Sequence, residues 1–197
     1  MTPRFVIATF NHDKARELAA VLDLPGTEFV LIANWPEAVA PAETGATLLE
    51  NARLKALAAM RRTGLPAIAD DTGLEVDALG GRPGVHTARY AGPDATAAQN
   101  VARLLVALET VPEALRTARF RTVCVAVFPD SREVVAEGVL EGNILWAPRG
   151  ENGFGYDPVF RPAGRESSLA ELREGEKNSI SHRAQAVKSL AARLGSL

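Results

Sequence analysis

Ala69-Asp70-Asp71-Thr72-Gly73-Leu74-Glu75-Val76-Asp77-Ala78-Leu79-Gly80-Gly81-Arg82-Pro83-Gly84 follows directly on the apolar run Leu65-Pro66-Ala67-Ile68. The run reads as a short buried strand that delivers Asp70 and Asp71 at its carboxyl end, where open α/β sheets place their ligands. Adjacent strand residues point to opposite faces. The pair is therefore not a proton-sharing dyad: one carboxylate faces a cleft and the other anchors the following turn. A carboxylate so placed suits a hard cation such as Mg²⁺, which takes one or two carboxylates and fills its shell with water and phosphate oxygens. Two turn-forming aspartates before a glycine are the competing reading. The choice depends on whether the rest of the chain supplies an anion site.

Upstream it does. Residues 4–9 are dense in β-formers, and Asn11 then precedes a stretch with Ala15, Leu18, Ala19 and Leu22 at helical spacing. Asn11 is a good N-cap. Thr9, Asn11 and Lys14 thus gather at a helix N-terminus, whose free N–H groups and dipole favour an anion. A lysine in that first turn opposes the dipole, so it is either solvated or facing a phosphate. The chain lacks the glycine-rich run of a P-loop. Residues 28–32 read as a second strand. Thr47 and Glu50 match a capping box for a helix that ends at Gly64. That placement explains Glu50 but not Glu43, which lies in the preceding loop and is free to approach a metal. Lys55, two turns into this helix, has the plain reading of a snorkelling surface lysine.

Downstream, residues 80–84 predict a tight loop and Asp94 the cap of a helix over 97–108. Two long strands follow, over 118–128 and 133–140, joined by a hairpin-like connection. Gly150-Glu151-Asn152-Gly153-Phe154-Gly155-Tyr156-Asp157-Pro158 imitates a dinucleotide fingerprint, but no helix can continue through Asp157-Pro158. Its glycines allow close backbone approach, and Phe154 is either a stacking face for a base or a core residue. Ser181 reads as the N-cap of a last helix, with His182 and Arg183 in its first turn, a second helix start carrying misplaced positive charge.

Composition bounds the class. The 197 residues carry 22 basic and 24 acidic side chains and are 47% hydrophobic, an ordinary globular balance in one domain over residues 1–197. Neither a nucleic-acid groove nor a membrane surface is expected from that charge. The single Cys124, in an apolar run, is expected to be buried and inert. Without a spanning run or a signal-peptide core, the expected location is the cytoplasm. The three histidines lack metal-ligand spacing.

Thr9-x-Asn11-x-x-Lys14, Glu43-Thr44-Gly45, Glu50-Asn51-Ala52, Ala69-Asp70-Asp71-Thr72-Gly73-Leu74, Pro83-Gly84, Ala88-Arg89-Tyr90, Gly153-Phe154-Gly155-Tyr156-Asp157-Pro158 and Ser181-His182-Arg183, taken in this order, resemble the inosine/xanthosine triphosphate pyrophosphatase family. The resemblance implies an α/β fold: an elongated mixed sheet flanked by helices, in two lobes with a central cleft. It implies hydrolysis of noncanonical purine nucleoside triphosphates (ITP, dITP, XTP) to the monophosphate and pyrophosphate, with Mg²⁺, in a homodimer. It further implies that Thr9, Asn11, Lys14 and Lys55 bind the triphosphate and that Thr72 contacts substrate. Asp71 is the implied catalytic carboxylate and, with Glu43 and in some arrangements Asp70, the metal ligand. Phe154, Gly155, Tyr156, Asp157, Lys177, His182 and Arg183 are the implied base pocket. Phe10 departs from the small residue common between Thr and Asn in that family, and the strand-to-helix turn is expected to send it toward the core. A pyrophosphatase for pyrimidine or modified triphosphates, and a non-catalytic nucleotide-binding module, are the alternatives.

Overall fold

The computed structural model describes residues 2–195. Its strands are β1 (Arg4–Ile7), β2 (Glu28–Leu31), β3 (Ala67–Val76), β4 (Pro83–Gly84), β5 (Thr117–Val127), β6 (Glu133–Ile144) and β7 (Phe160–Pro162). The α-helices among the described residues are α1 (His12–Val21), α2 (Leu48–Thr63), α3 (Ala97–Ala107), α4 (Glu174–Ile180) and α5 (His182–Leu194). The strands form one sheet in the order β2-β1-β3-β5-β6-β7, with β4 paired to β3. It is mixed: β1 runs parallel to β2 and β3, while β4 is antiparallel to β3 and β7 to β6. The fold is therefore α/β, a mixed sheet with flanking helices, as expected. The chain divides into two compact units, Met1–Asp71 with Thr122–Gly138 and His182–Leu197, and Thr72–Arg121 with Val139–Ser181.

In the first unit, Leu18 of α1, its C-cap Leu22, and Ala186, Val187, Leu190 and Leu194 of α5 cover Phe5, Ile7, Ile68, Cys124 and Ala136 on the sheet. Complete burial of a side chain such as Leu18 or Leu190 contributes roughly 1.5–3 kcal/mol. Strand alternation puts Asp70 on the same face as Ile68, toward α1 and α5, and Asp71 on the opposite face, toward α2. The caps are as expected: Asn11 Oδ1 accepts from Lys14 N at 3.0 Å, and Thr47 Oγ1 from Glu50 N at 3.1 Å. Glu50, however, turns back one residue further, accepting from Ala46 N at 2.6 Å. Cys124 is fully buried, and burial pushes its thiol far up from the ordinary value.

In the second unit, Leu74 and Val76, Ala118 and Phe120, Ile144 and Phe160 cluster with Val101 and Leu104 of α3 and its C-cap Leu108. The intervening arginines of β5 pair on the other side, Arg119 with Asp77 at 3.1 Å and Arg121 with Glu75 at 3.2 Å.

The structure differs from expectation at further points, among them β6, which runs to Ile144 rather than ending at Leu140. β3 does not stop at the aspartates but runs ten residues, because its second half pairs with β4 through Leu74–Gly84 and Glu75–Pro83. Thr96, not Asp94, caps α3, in a box completed by Gln99 at N3. Residues before Ser181 form α4, which ends at that serine. Phe10 is half-buried.

Candidate active site

Asp71 sits in mid-β3, just past the point where β3 ceases to pair with β1 at Ile68. From α2, Lys55 Nζ donates to Asp71 Oδ1 at 2.8 Å and to Glu43 Oε1 at 2.9 Å. The Glu43 loop is held to the same helix by Asn51, whose Oδ1 accepts from Gly45 N at 2.8 Å. A Cβ on Gly45 would stand 2.6 Å from Glu50 Cβ and 2.7 Å from Asn51 Oδ1, so only glycine permits this approach. The Asn51 amide nitrogen lies 3.4 Å from Asp71 Oδ2. Asn51, named in the sequence only within Glu50-Asn51-Ala52 and given no role there, thus holds the Glu43 loop and lies against Asp71. An asparagine one turn from Leu48 on the buried face of an aliphatic helix, where it weakens the helix, was the signal available.

Across the strand, Asp70 is also buried, and its Oδ2 lies 3.4 Å from Lys14 Nζ and 3.1 Å from Arg183 Nε. Arg183 in turn pairs with Glu17. The resulting row of charges, Lys14–Asp70–Arg183–Glu17, alternates in sign. Burial works against the Asp70 charge, but Lys14, Arg183 and Lys55 outweigh it and hold the carboxyl well below the usual range. Burial likewise opposes the charge of Arg183, which Asp70 and Glu17 more than restore. Asp71 behaves oppositely. Burial pushes its carboxyl up, against the pull of Lys55 and Lys14 and with help from Glu43. Burial lowers Lys14 below the ordinary lysine value; Asp70 opposes that shift, while Lys55 and Arg183 add to it. Lys55 loses to burial too but is raised overall by Asp71, Asp70 and Glu43.

The first unit therefore brings together Thr9, Asn11, Lys14, Glu43, Lys55, Asp70 and Asp71 around the middle of β3. Thr9 is buried, and its Oγ1 accepts from Asn11 N at 3.2 Å. The Asn11 carbonyl is committed to the cap, so any anion it meets must be met by its Nδ2. His182 and Arg183 open α5, both buried. The misplaced charge at that helix start has protein acceptors in Asp70 and Glu17, so the guanidinium expected to face a base is spent on two carboxylates.

In the second unit, the glycine-rich loop folds back on itself. Asp157 Oδ2 accepts from Phe154 N at 2.9 Å and from Lys177 Nζ of α4 at 2.5 Å. The Lys177 ammonium lies 4.7 Å from the centroid of the Phe154 ring. Gly153 has φ +73°, and a Cβ there would overlap the Asp157 carboxylate. Tyr156 is buried and donates to Thr87 O at 3.0 Å. Gly155, at φ +62°, links these two residues, and Thr72 is half-buried in this unit's part of β3.

A metal fits the first unit's donors. Glu43 and Asp71 both meet the Lys55 ammonium, and their carboxylates are hard oxygen donors that could hold a divalent cation between them. Mg²⁺ takes one or two carboxylates and fills the rest of its shell with water and phosphate oxygens.

Residues 5–193 match the family described as the Ham1 family. A protein of Geobacillus kaustophilus named dITP/XTP pyrophosphatase is 53% identical over 94% of this chain and 91% of its own. One of the same name from Methylococcus capsulatus is 51% identical, covering 100% of this chain and 98% of its own. The solved structure of a HAM1 protein from Coxiella burnetii superposes with a TM-score of 0.89 at 40% identity, over 99% of this chain and 100% of that one.

Proposed function

The chain belongs to the Ham1 family, and from that premise we propose that it hydrolyses noncanonical purine nucleoside triphosphates, ITP, dITP and XTP, to the monophosphate and pyrophosphate. It is a hydrolase of nucleoside triphosphates, as its relatives named dITP/XTP pyrophosphatase are. The observation that carries the reading to the level of residues is Lys55 bridging Glu43 and Asp71, beside the Lys14–Asp70 pair. We assign the whole chain to one catalytic domain, active as a homodimer in the cytoplasm and without nucleic-acid partners. No helix of the described residues is long and apolar enough to cross a membrane.

Mg²⁺ is the proposed cofactor, held by Glu43 and Asp71; when bound it supplies charge neutralisation on phosphate oxygens and acidifies coordinated water. The remaining work falls to side chains. Cleavage of the α–β phosphoanhydride by water builds charge on the transferring and departing oxygens. Lys14, Lys55 and the N–H groups at the start of α1, with Thr9 and Asn11, supply fixed positive potential for those oxygens. Asp71 orients the water and accepts its proton.

Base recognition is assigned to Phe154, Gly155, Tyr156, Asp157, Lys177 and His182, with Thr72 contacting substrate. A 6-oxo purine offers an acceptor where adenine offers an amino donor. Lys177 is a pure donor with one N–H already given to Asp157, so a 6-oxo group can accept from another of its N–H groups while the adenine amino group cannot, a mismatch that binding sites penalise. For Arg183 the engaged guanidinium favours a positioning role over direct contact with the base. Pyrophosphate release measured with ITP, XTP, dUTP, GTP and ATP in the presence of Mg²⁺ tests the reading. Preference for ITP and XTP is expected; equal turnover of ATP or dUTP contradicts it.

A further inference from the structure

Glu17 belongs to none of the roles above, yet it is a carboxylate buried to 5% exposure on α1, one turn after Lys14. Its partner is Arg183, which is 2% exposed. Burying a carboxylate is costly unless a cation compensates it. Here the compensation runs in a chain. Two cations, Lys14 and Arg183, share Asp70, whose Oδ2 is the acceptor for both at 3.4 and 3.1 Å. Asp70 alone balances only one of them. Glu17 supplies the second negative charge, and it does so from the far side of Arg183, leaving Lys14 its hold on Asp70.

We propose that Glu17 is a positioning residue for the phosphate-binding lysine: it neutralises Arg183 so that Asp70 fixes Lys14 at the N-terminus of α1. Without the Glu17 charge, Arg183 turns its full demand on Asp70, and two buried cations compete for one carboxylate. Lys14, which is on the more exposed end of the row with 18% of its side chain accessible, is the one that swings away. Glu17 and Lys14 also lie on one helix, so the pairing with Arg183 sets the rotation of α1 against α5 at the same time. The proposal rests on the reading of Lys14 as a triphosphate ligand.

The test is a double-mutant cycle on the full chain, titrated with inorganic pyrophosphate and Mg²⁺ by calorimetry, below the melting temperature of every variant. Glu17→Gln should weaken pyrophosphate binding about tenfold in the wild-type background and less than about twofold when Lys14 is already alanine, the non-additivity of residues in one network. An equal loss in both backgrounds, or a lower Tm with unchanged affinity, overturns the proposal, since a merely structural glutamate gives either result. Should Glu17→Gln fail to fold, Glu17→Asp takes its place: it keeps the charge but sets it one methylene further from Arg183, so a smaller loss, again confined to the background with Lys14 present, is expected, and an equal loss in both backgrounds overturns the proposal. Wild-type protein that binds no pyrophosphate also overturns it. Wild-type protein that binds pyrophosphate but does not hydrolyse ITP overturns the assigned reaction instead, and the cycle still decides the role of Glu17.

Discussion

Lys55 Nζ stands 2.8 Å from Asp71 Oδ1, and this one contact ties the helix that carries the proposed phosphate ligand to the strand that carries the proposed base. Burial raises the Asp71 carboxyl, and Lys55 is the strongest influence pulling it back. Replacing Lys55 by methionine removes that pull. Ionised Asp71 is required for turnover, so the acid limb of the rate profile should move to higher pH, and kcat should fall about 10²–10³-fold, the usual cost of losing one transition-state donor. A pH–rate series on the variant checks both; an unmoved acid limb contradicts the coupling.

Arg183 is flanked by Asp70 and Glu17 in the interior of the first unit. Arg183→Met leaves two buried carboxylates without their shared cation, a change that costs about 3–5 kcal/mol. The exposed pair Arg62–Glu37 is the control, where Arg62→Met should cost no more than about 1 kcal/mol. Urea unfolding of the two variants separates them, and similar losses in both would mean that the Arg183 row contributes little.

Asp70 gives a pH dependence of defined sign. Burial raises its carboxyl, but Lys14, Arg183 and Lys55 outweigh burial, so its folded value lies below the unfolded value of about 3.9. Such a group contributes stability that is fully present above the unfolded value and is lost as pH falls toward the folded one. The stability advantage of the wild type over Asp70→Asn should thus be constant above about pH 5 and shrink below about pH 4. Melts of both proteins across that range test it. An advantage that grows on acidification has the wrong sign.

Gly153→Ala should disturb the base-recognition loop without touching the first unit. Its φ of +73° disfavours a side chain, and the added methyl overlaps the carboxylate that holds Phe154 N and Lys177. KM for ITP should rise about tenfold, the size of one lost hydrogen bond to a charged group. An unchanged KM would remove the Asp157–Lys177 pair from base recognition.

Much of this was legible in the chain itself. The caps at Asn11 and Thr47 and the stop at Gly64 follow from side-chain chemistry that acts within a few residues. So does the alternation that sends Asp70 and Asp71 to opposite faces. What was not legible depended on partners far along the chain. Thr72-Gly73 resembles a turn until β4 pairs with Leu74 and Glu75 and keeps the backbone extended. The short polar α4 has little apolar periodicity to announce it. Arg183 looked like a donor aimed at substrate because its acceptors, Asp70 and Glu17, lie 113 and 166 residues away in sequence.

The most direct measurement is pyrophosphate release from ITP with Mg²⁺ by the wild type and by Asp71→Asn, alongside a melt of each. The substitution is nearly isosteric, so the account predicts a folded protein whose release falls to background while the wild type turns over. Near-normal release by folded Asp71→Asn would contradict it.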